Sequence, residues 1–214
     1  MELIMMTNVQ NIILDAMCDL NNLIIRMPRG GGKDYTLMTY AIEEASFGRR
    51  SNRIAIVSPT FRQTKLSFKN KLVESITTGA KTTIGTNMCT VEFDNGSLII
   101  GSSINELAVD PFNVLIINEA NSIDGYFIDL ILDYMRVNVL TKIFTFSTGY
   151  RDDSPLCKLE QNENFSTLSF GYKAYPEYYY DKDNINESKK YMDKDRFDME
   201  FNCKVIKVKD DARS

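Results

Sequence analysis

The sequence predicts an α/β domain with a mostly parallel central sheet flanked by helices. Two observations carry this. Short runs of consecutive apolar residues, the pattern of strands buried on both faces, alternate with segments of helical periodicity. One strand-to-helix junction is a glycine loop ending in lysine, Arg26-Met27-Pro28-Arg29-Gly30-Gly31-Gly32-Lys33-Asp34. In chain order, Val9, Ile12, Ile13, Ala16, Met17 and Leu20 predict a helix over Thr7 to Leu20 with one apolar face. Leu23 to Ile25 form a buried strand that ends at Arg26, where Pro28 and the glycines break it. Leu37, Met38, Ala41, Ile42 and Ala45 predict a helix from Lys33 to the stop at Gly48. Arg53 to Ser58 is a second buried strand, closed by Pro59, and Phe61 to Ile76 follows as a helix. Thr90 to Phe93 and Ser97 to Gly101 form a hairpin about Asp94-Asn95-Gly96, because Asn-Gly favours a tight turn with positive φ. Val114 to Ile117 is a fully apolar strand, Ile123 to Tyr134 a helix, and Lys142 to Phe146 a strand closed by Ser147-Thr148-Gly149. Asn162 to Tyr180 is rich in aromatics and asparagine, and Asp181 to Glu200 is charged and helically spaced, as in a lid or a lead into another domain.

Composition excludes several chemistries. Among the 214 residues there is no histidine, which removes Ser-His-Asp and Cys-His nucleophile systems and His-ligated zinc. The formal net charge of −4 argues against a generally basic nucleic-acid binder. Cys18, Cys89, Cys157 and Cys203 lie far apart with no CxxC pair, which fits free thiols in a reducing compartment. The apolar stretch from Met1 to Met6 is too short, and lacks the basic flank, for a signal peptide. No apolar run approaches the roughly 18 residues of a membrane span. The chain is expected to be soluble and cytosolic.

The glycine loop carries the chemistry. Between a strand and a helix, successive glycines let backbone N–H groups converge on phosphate oxygens, and the helix N-terminus adds partial positive charge. Lys33 adds a full charge for the β and γ phosphates. Gly30, Gly31, Gly32, Lys33, Asp34 and Tyr35 are therefore candidate nucleotide-binding residues. The GxxxxGK(S/T) pattern of the Walker A loop is met imperfectly. Met27 occupies the first glycine position, and Asp34 stands where a hydroxyl residue usually holds Mg2+. Aspartate can bind that ion directly or through water, and Thr36 is an alternative ligand.

Val114-Leu115-Ile116-Ile117-Asn118-Glu119 is an apolar strand with a polar end. In phosphate-loop enzymes the first residue of such a Walker B pair holds the metal and the next polarises the attacking water. Here Asn118 occupies the metal position and Glu119 the catalytic one. With Asp34 in the loop, the metal carboxylate is expected to have moved across the site, and Asn118 to hydrogen-bond a metal-bound water.

The ordered set of motifs resembles the ATPase domain of viral (phage) large terminases, the motors that package double-stranded DNA into procapsids. The likeness runs from about Val9 to Val205. Gln10 matches a glutamine that reads adenine, and Arg29 an arginine credited with stabilising the γ phosphate. Ser58-Pro59-Thr60 with Gln63, Phe93-Asp94-Asn95-Gly96-Ser97, and Glu119-Ala120 followed by Ile123 match three further family stretches. Ser147-Thr148-Gly149 matches the coupling motif, usually Ser-Thr-Pro, and Phe197-Asp198-Met199-Glu200-Phe201 matches the segment that closes the ATPase region. The resemblance implies a P-loop NTPase of the additional-strand, RecA-like type, with Glu119, Arg29 and Lys33 catalytic and with ATP and Mg2+ bound. It also implies a pentameric ring on a portal, a small terminase subunit and a nuclease domain or protein as partners, and residence in the cytoplasm of an infected host cell. Relatives often supply an arginine to the neighbouring subunit from a segment that here, from Ile104 to Asn113, has none; Arg136 is either a substitute or a solvated helix residue. Family members usually continue into a nuclease domain, so residues 1–180 are expected to form the ATPase core and 181–214 a helical lid or linker. No nuclease activity is expected of this chain.

From Arg49 to Lys81 eight basic residues face one glutamate, the most basic stretch of an acidic chain. Arg62, Lys65 and Lys69 fall at helical spacing and are either a DNA-contacting face or a solvated helix surface. Two other functions share these motifs: a helicase-like or repair ATPase, and a nucleotide-binding module impaired in hydrolysis, for which Asp34 and Asn118 speak.

Overall fold

Strands that are apolar on both sides need cover on both sides, and this requirement organises the chain. The computed structural model describes residues 6–47, 51–69, 80–106, 111–137 and 141–208. Seven helices among them are α1 (Asn8–Asp19), α2 (Lys33–Phe47), α3 (Phe61–Ser67), α4 (Gly125–Val137), α5 (Leu156–Glu160), α6 (Lys182–Tyr191) and α7 (Lys194–Glu200). The strands are β1 (Asn22–Arg26), β2 (Arg53–Ser58), β3 (Ala80–Ile84), β4 (Met88–Phe93), β5 (Leu98–Ser103), β6 (Val114–Asn118), β7 (Lys142–Ser147) and β8 (Ser166–Ser169). They form one sheet in the order β3-β4-β5-β2-β6-β7-β1-β8. Pairing from β5 through β8 is parallel, and β3-β4-β5 is an antiparallel edge.

Alternation along each strand sorts its side chains into two cores. Ile54 and Ile56 of β2, Val114 and Ile116 of β6, and Phe144 and Phe146 of β7 join Val9, Ile13 and Met17 of α1 and Leu37, Met38 and Ala41 of α2. Ala55, Val57, Leu115, Ile117 and Ile143 join Phe127, Ile128 and Ile131 of α4 and Leu156 and Leu159 of α5 on the other face. Among the described residues no helix is long and apolar enough to cross a membrane. All four cysteines are free thiols.

Three elements escape the sequence reading. β8 (STLS) and β3 (AKTTI) are short, polar and half exposed because each lies at a sheet edge, so neither carries an apolar run. α5 spans only five residues, too few to show a helical period. The helix expected to reach Ile76 is described as far as Ser67; residues 70–79 lie outside the described residues. The charged stretch from Asp181 to Glu200 is two helices, because Asp193 caps the second by accepting from Arg196 N–H.

The tail folds back over the glycine loop. Tyr172 and Phe197 pack edge to face, and Phe197 stacks on Phe201. Ile185, Phe197 and Phe201 make a small core of their own. The last turn of α7 and the segment after it then run beside the residues following β7: Gly149 N–H donates to the Met199 carbonyl at 2.8 Å, and Ile206 N–H to the Tyr150 carbonyl at 2.8 Å.

Candidate nucleotide-binding site

The order β2-β6-β7-β1 brings the ends of four parallel strands to one edge, where ligands of open α/β sheets bind. The glycine loop leaves the end of β1 there. Met27 is fully buried, and its N–H donates to the Ser147 carbonyl at 2.9 Å, so a side chain at the first glycine position serves as an anchor. Gly30 and Gly32 both take positive φ, +77° and +83°, which glycine adopts at little cost. A Cβ on Gly32 would run into the Gln10 amide nitrogen, and one on Gly31 would come within 2.9 Å of the Tyr175 hydroxyl.

The loop is braced from outside. Tyr180 OH donates to the Arg29 carbonyl at 3.0 Å, and Tyr175 OH to the Gly31 carbonyl at 3.2 Å. Gly31 N–H donates back to the Pro28 carbonyl at 2.9 Å. Gln10 is buried at the start of α1, where its Oε1 accepts from Thr7 N–H at 2.8 Å while Gln10 N–H donates to the Thr7 hydroxyl. This capping box turns its amide nitrogen toward Gly32. Tyr35 lies half-buried in the first turn of α2.

At the polar end of β6, Asn118 Nδ2 donates to Asp34 Oδ1 at 2.6 Å, so the two candidate metal residues are in direct contact. Thr36 is already engaged, its hydroxyl donating to the Gly32 carbonyl at 3.0 Å within the helix. Glu119 takes a left-handed backbone conformation (φ 52°, ψ 44°), and its N–H donates to Asn118 Oδ1 at 3.0 Å. A left-handed glutamate is uncommon and strained, a signature of functional positions. The turn sends its carboxylate back toward the loop, 3.6 Å from Lys33 Nζ.

A cleft of about 730 Å³ opens in front of these groups. Lys33, Glu119 and Arg29 line it, with Thr148 and Gly149 of the loop after β7. Arg151, Arg196 and Glu200 are among the other residues of the wall, and sequence reasoning did not single them out as site residues. Their only signal was the segment from Phe197 to Phe201, because the chain reaches the cleft through long-range packing of the tail. Arg29 is mostly exposed and pairs with Glu200 at 2.9 Å; Arg196 pairs with the same carboxylate at 3.0 Å. Burial raises the Glu200 pKa, but the hydrogen bonds from Arg29 and Arg196 outweigh it and hold the carboxyl below its usual range.

The remaining candidates lie elsewhere. Arg136, in the last turn of α4, pairs with Asp133 at 2.8 Å and borders a separate cleft beside Asn22 and Thr141, at the opposite end of the parallel strands. Arg62 and Lys69 are exposed near α3. The Lys65 ammonium donates to the Gly85 carbonyl at 3.1 Å and sits over the Phe61 ring, so it is partly committed.

Comparison with solved structures matches the fold. A variant of the Thermus phage P74-26 large terminase ATPase domain superposes with a TM-score of 0.69, covering 93% of this chain and 94% of that one at 14% identity. The chain has the fold of a phage large terminase ATPase domain. The large terminase of a thermophilic bacteriophage in complex with ADP gives a TM-score of 0.69 over 94% of this chain and 54% of that one, at 12% identity. The Phi-28 gp11 DNA packaging motor gives 0.52 over 90% and 66%, at 11% identity. The chain thus spans about half of the ADP-bound large terminase and nearly all of the isolated terminase ATPase domain. No protein-family model matches the sequence, and no curated protein does.

Proposed function

We propose that this chain hydrolyses ATP to ADP and phosphate and uses the energy to drive double-stranded viral DNA into a procapsid, as the ATPase part of a large terminase. One observation carries the reading: within the fold of a terminase ATPase domain, Lys33 and Glu119 meet at 3.6 Å in the wall of one cleft, and their chain neighbours Asp34 and Asn118 are hydrogen-bonded to each other. The Gly30 and Gly32 amides, the first turn of α2 and Lys33 receive the phosphates, since the Gly31 amide is spent on Pro28. Gln10 and Tyr35 flank the nucleotide. Arg29 leaves Glu200 to offset charge on the transferring phosphoryl group. Glu119 orients a water and takes its proton. Ser147, Thr148 and Gly149 pass phosphate release to the tail, to which Gly149 is bonded.

Asp34 offers a carboxylate, a hard ligand for Mg2+, and Asn118, whose Nδ2 donates to Asp34 and whose Oδ1 accepts from Glu119 N–H, keeps a second oxygen lone pair for a metal-bound water. Asp34 and Asn118 would hold the ion, which when bound neutralises phosphate charge. If the metal carboxylate has moved from β6 to the loop, Asn118→Asp together with Asp34→Thr should retain Mg2+-dependent nucleotide binding. Asn118→Asp alone should weaken metal-free nucleotide binding, because two carboxylates would then face each other in place of a 2.6 Å hydrogen bond with no cation to offset them. Titration with a fluorescent ATP analogue checks this, and loss of binding by a folded double variant would refute the exchange.

Residues 1–180 would be the motor core and 181–214 a lid or linker toward a nuclease domain or protein. A homopentameric ring on the portal, a small terminase subunit, Arg136 acting on the neighbouring subunit, and the infected host's cytoplasm complete the proposal. DNA contact through α3 rests on Arg62 and Lys69 more than on Lys65. Reversing the charge of Arg62 and Lys69 should raise the DNA concentration for half-maximal stimulation of phosphate release roughly tenfold, and Lys65 reversal less. Unchanged stimulation would make this face a solvated surface. The alternative of a hydrolysis-impaired nucleotide-binding module draws on the Asp34–Asn118 pair; absence of phosphate release with and without DNA would favour it.

A further inference from the structure

β2 ends in a serine whose side chain has no explained partner. Ser58 is 1% exposed, and among the described residues its hydroxyl has no hydrogen-bond partner. A buried polar group left unpaired is costly, and in native proteins such a group usually has a ligand, water or ion to meet. The location says which. β2 and β6 pair in parallel with Val57 beside Ile117, so Ser58 stands one step on, level with Asn118. Adjacent strands lie about 4.8 Å apart. The two residues also share a face. Ile54 and Ile56 alternate with Ala55 and Val57, and Val114 and Ile116 with Leu115 and Ile117, so that Ser58 and Asn118 both continue the face covered by α2. Asn118 confirms this by bonding Asp34 in the first turn of α2. Thr145 and Ser147 of β7 also carry buried hydroxyls without partners, but Phe144 and Phe146 occupy the α2 face of that strand and turn those two to the opposite side. Of these three hydroxyls, Ser58 alone shares the Asp34–Asn118 face.

We infer that the Ser58 hydroxyl is a further oxygen of the site formed by Asp34 and Asn118, engaging the Mg2+ hydration shell from the β2 side. Mg2+ sheds its waters reluctantly, so a site with few protein ligands depends on groups that hold those waters. Ser58 is a positioning residue in this role. The inference rests on the metal-site reading above and is tested apart from it.

The test uses Mn2+ as a paramagnetic stand-in, with its binding to the protein–ADP complex read by electron paramagnetic resonance. Ser58→Ala should weaken Mn2+ binding roughly tenfold, as loss of an outer-shell partner does. ADP affinity without metal should stay unchanged, and the apo protein should unfold at no lower temperature, because the hydroxyl removed has no partner there. Asp34→Asn should weaken Mn2+ further. Wild-type Mn2+ affinity in Ser58→Ala, beside a clear loss in Asp34→Asn, overturns the role of Ser58 and leaves the metal site standing. A lowered unfolding temperature or equally weakened metal-free ADP binding shows a structural role and overturns it as well. If the wild-type ADP complex binds no Mn2+, the metal-site reading and the inference fall together.

Discussion

Glu119→Gln should lower phosphate release by roughly 100- to 10,000-fold, the range associated with a positioned general base, while the protein binds ATP at least as tightly as before. The amide keeps the volume and the left-handed turn but cannot take a proton. Nucleotide binding should hold or improve because Glu119 lies 3.6 Å from Lys33 and competes with phosphate for its ammonium. With the carboxylate gone, the ammonium meets the phosphates without first leaving a counter-charge. Pre-steady-state phosphate release and titration with a fluorescent ATP analogue check the two halves separately. Wild-type turnover in the variant would remove Glu119 from the chemistry; loss of binding would mean that the Glu119–Lys33 contact organises the loop.

The second large effect concerns Gly149. The family resemblance expects proline here, yet Gly149→Pro should destabilise the chain by roughly 3 kcal/mol. Two physical costs add. The Gly149 N–H that donates to the Met199 carbonyl at 2.8 Å is lost, and ring atoms enter space where a Cβ would already collide with the Lys204 carbonyl and lie 2.8 Å from its amide nitrogen. Lys204 cannot easily retreat. Its N–H donates to the Asp198 carbonyl and its ammonium to the Asp198 carboxylate at 3.0 Å. Burial raises the pKa of that carboxyl, but hydrogen bonds from Asn202 and Lys204 outweigh it and hold it below the usual range. For a chain of this length the expected drop in melting temperature is roughly 6–12 °C. Calorimetry measures it, and limited proteolysis should cut the variant first between residues 181 and 208. An unchanged melting temperature would mean that the tail is not clamped through Gly149.

Legibility followed burial. The strands that hold the site, β1, β2, β6 and β7, are central and covered on both faces, so each wrote an apolar run into the sequence. Lys33, Asp34, Asn118 and Glu119 sit at the ends of those runs, which is why local pattern alone brought them together. β3 and β8 sit at the edges, where a strand needs no apolar run, and were missed. Arg151, Arg196 and Glu200 reach the cleft through packing between segments far apart in the chain, which no local period encodes. The departure at Gly149 was visible as a residue change. Its cause, the close passage of the Lys204 backbone, required the fold.

The tyrosines behind the glycine loop carry a thermodynamic consequence. Because Tyr175 and Tyr180 hold the carbonyls of Gly31 and Arg29, and the Gln10 amide closes over Gly32, the loop is confined before any anion arrives. A free loop with this many glycines would surrender much conformational entropy on binding, and the ligand's affinity would be lower by that amount. Here folding has already absorbed that loss, so the nucleotide binding proposed for the loop would keep more of its electrostatic gain. Rigidity supplied from the far end of the chain would thus raise the affinity proposed for its beginning.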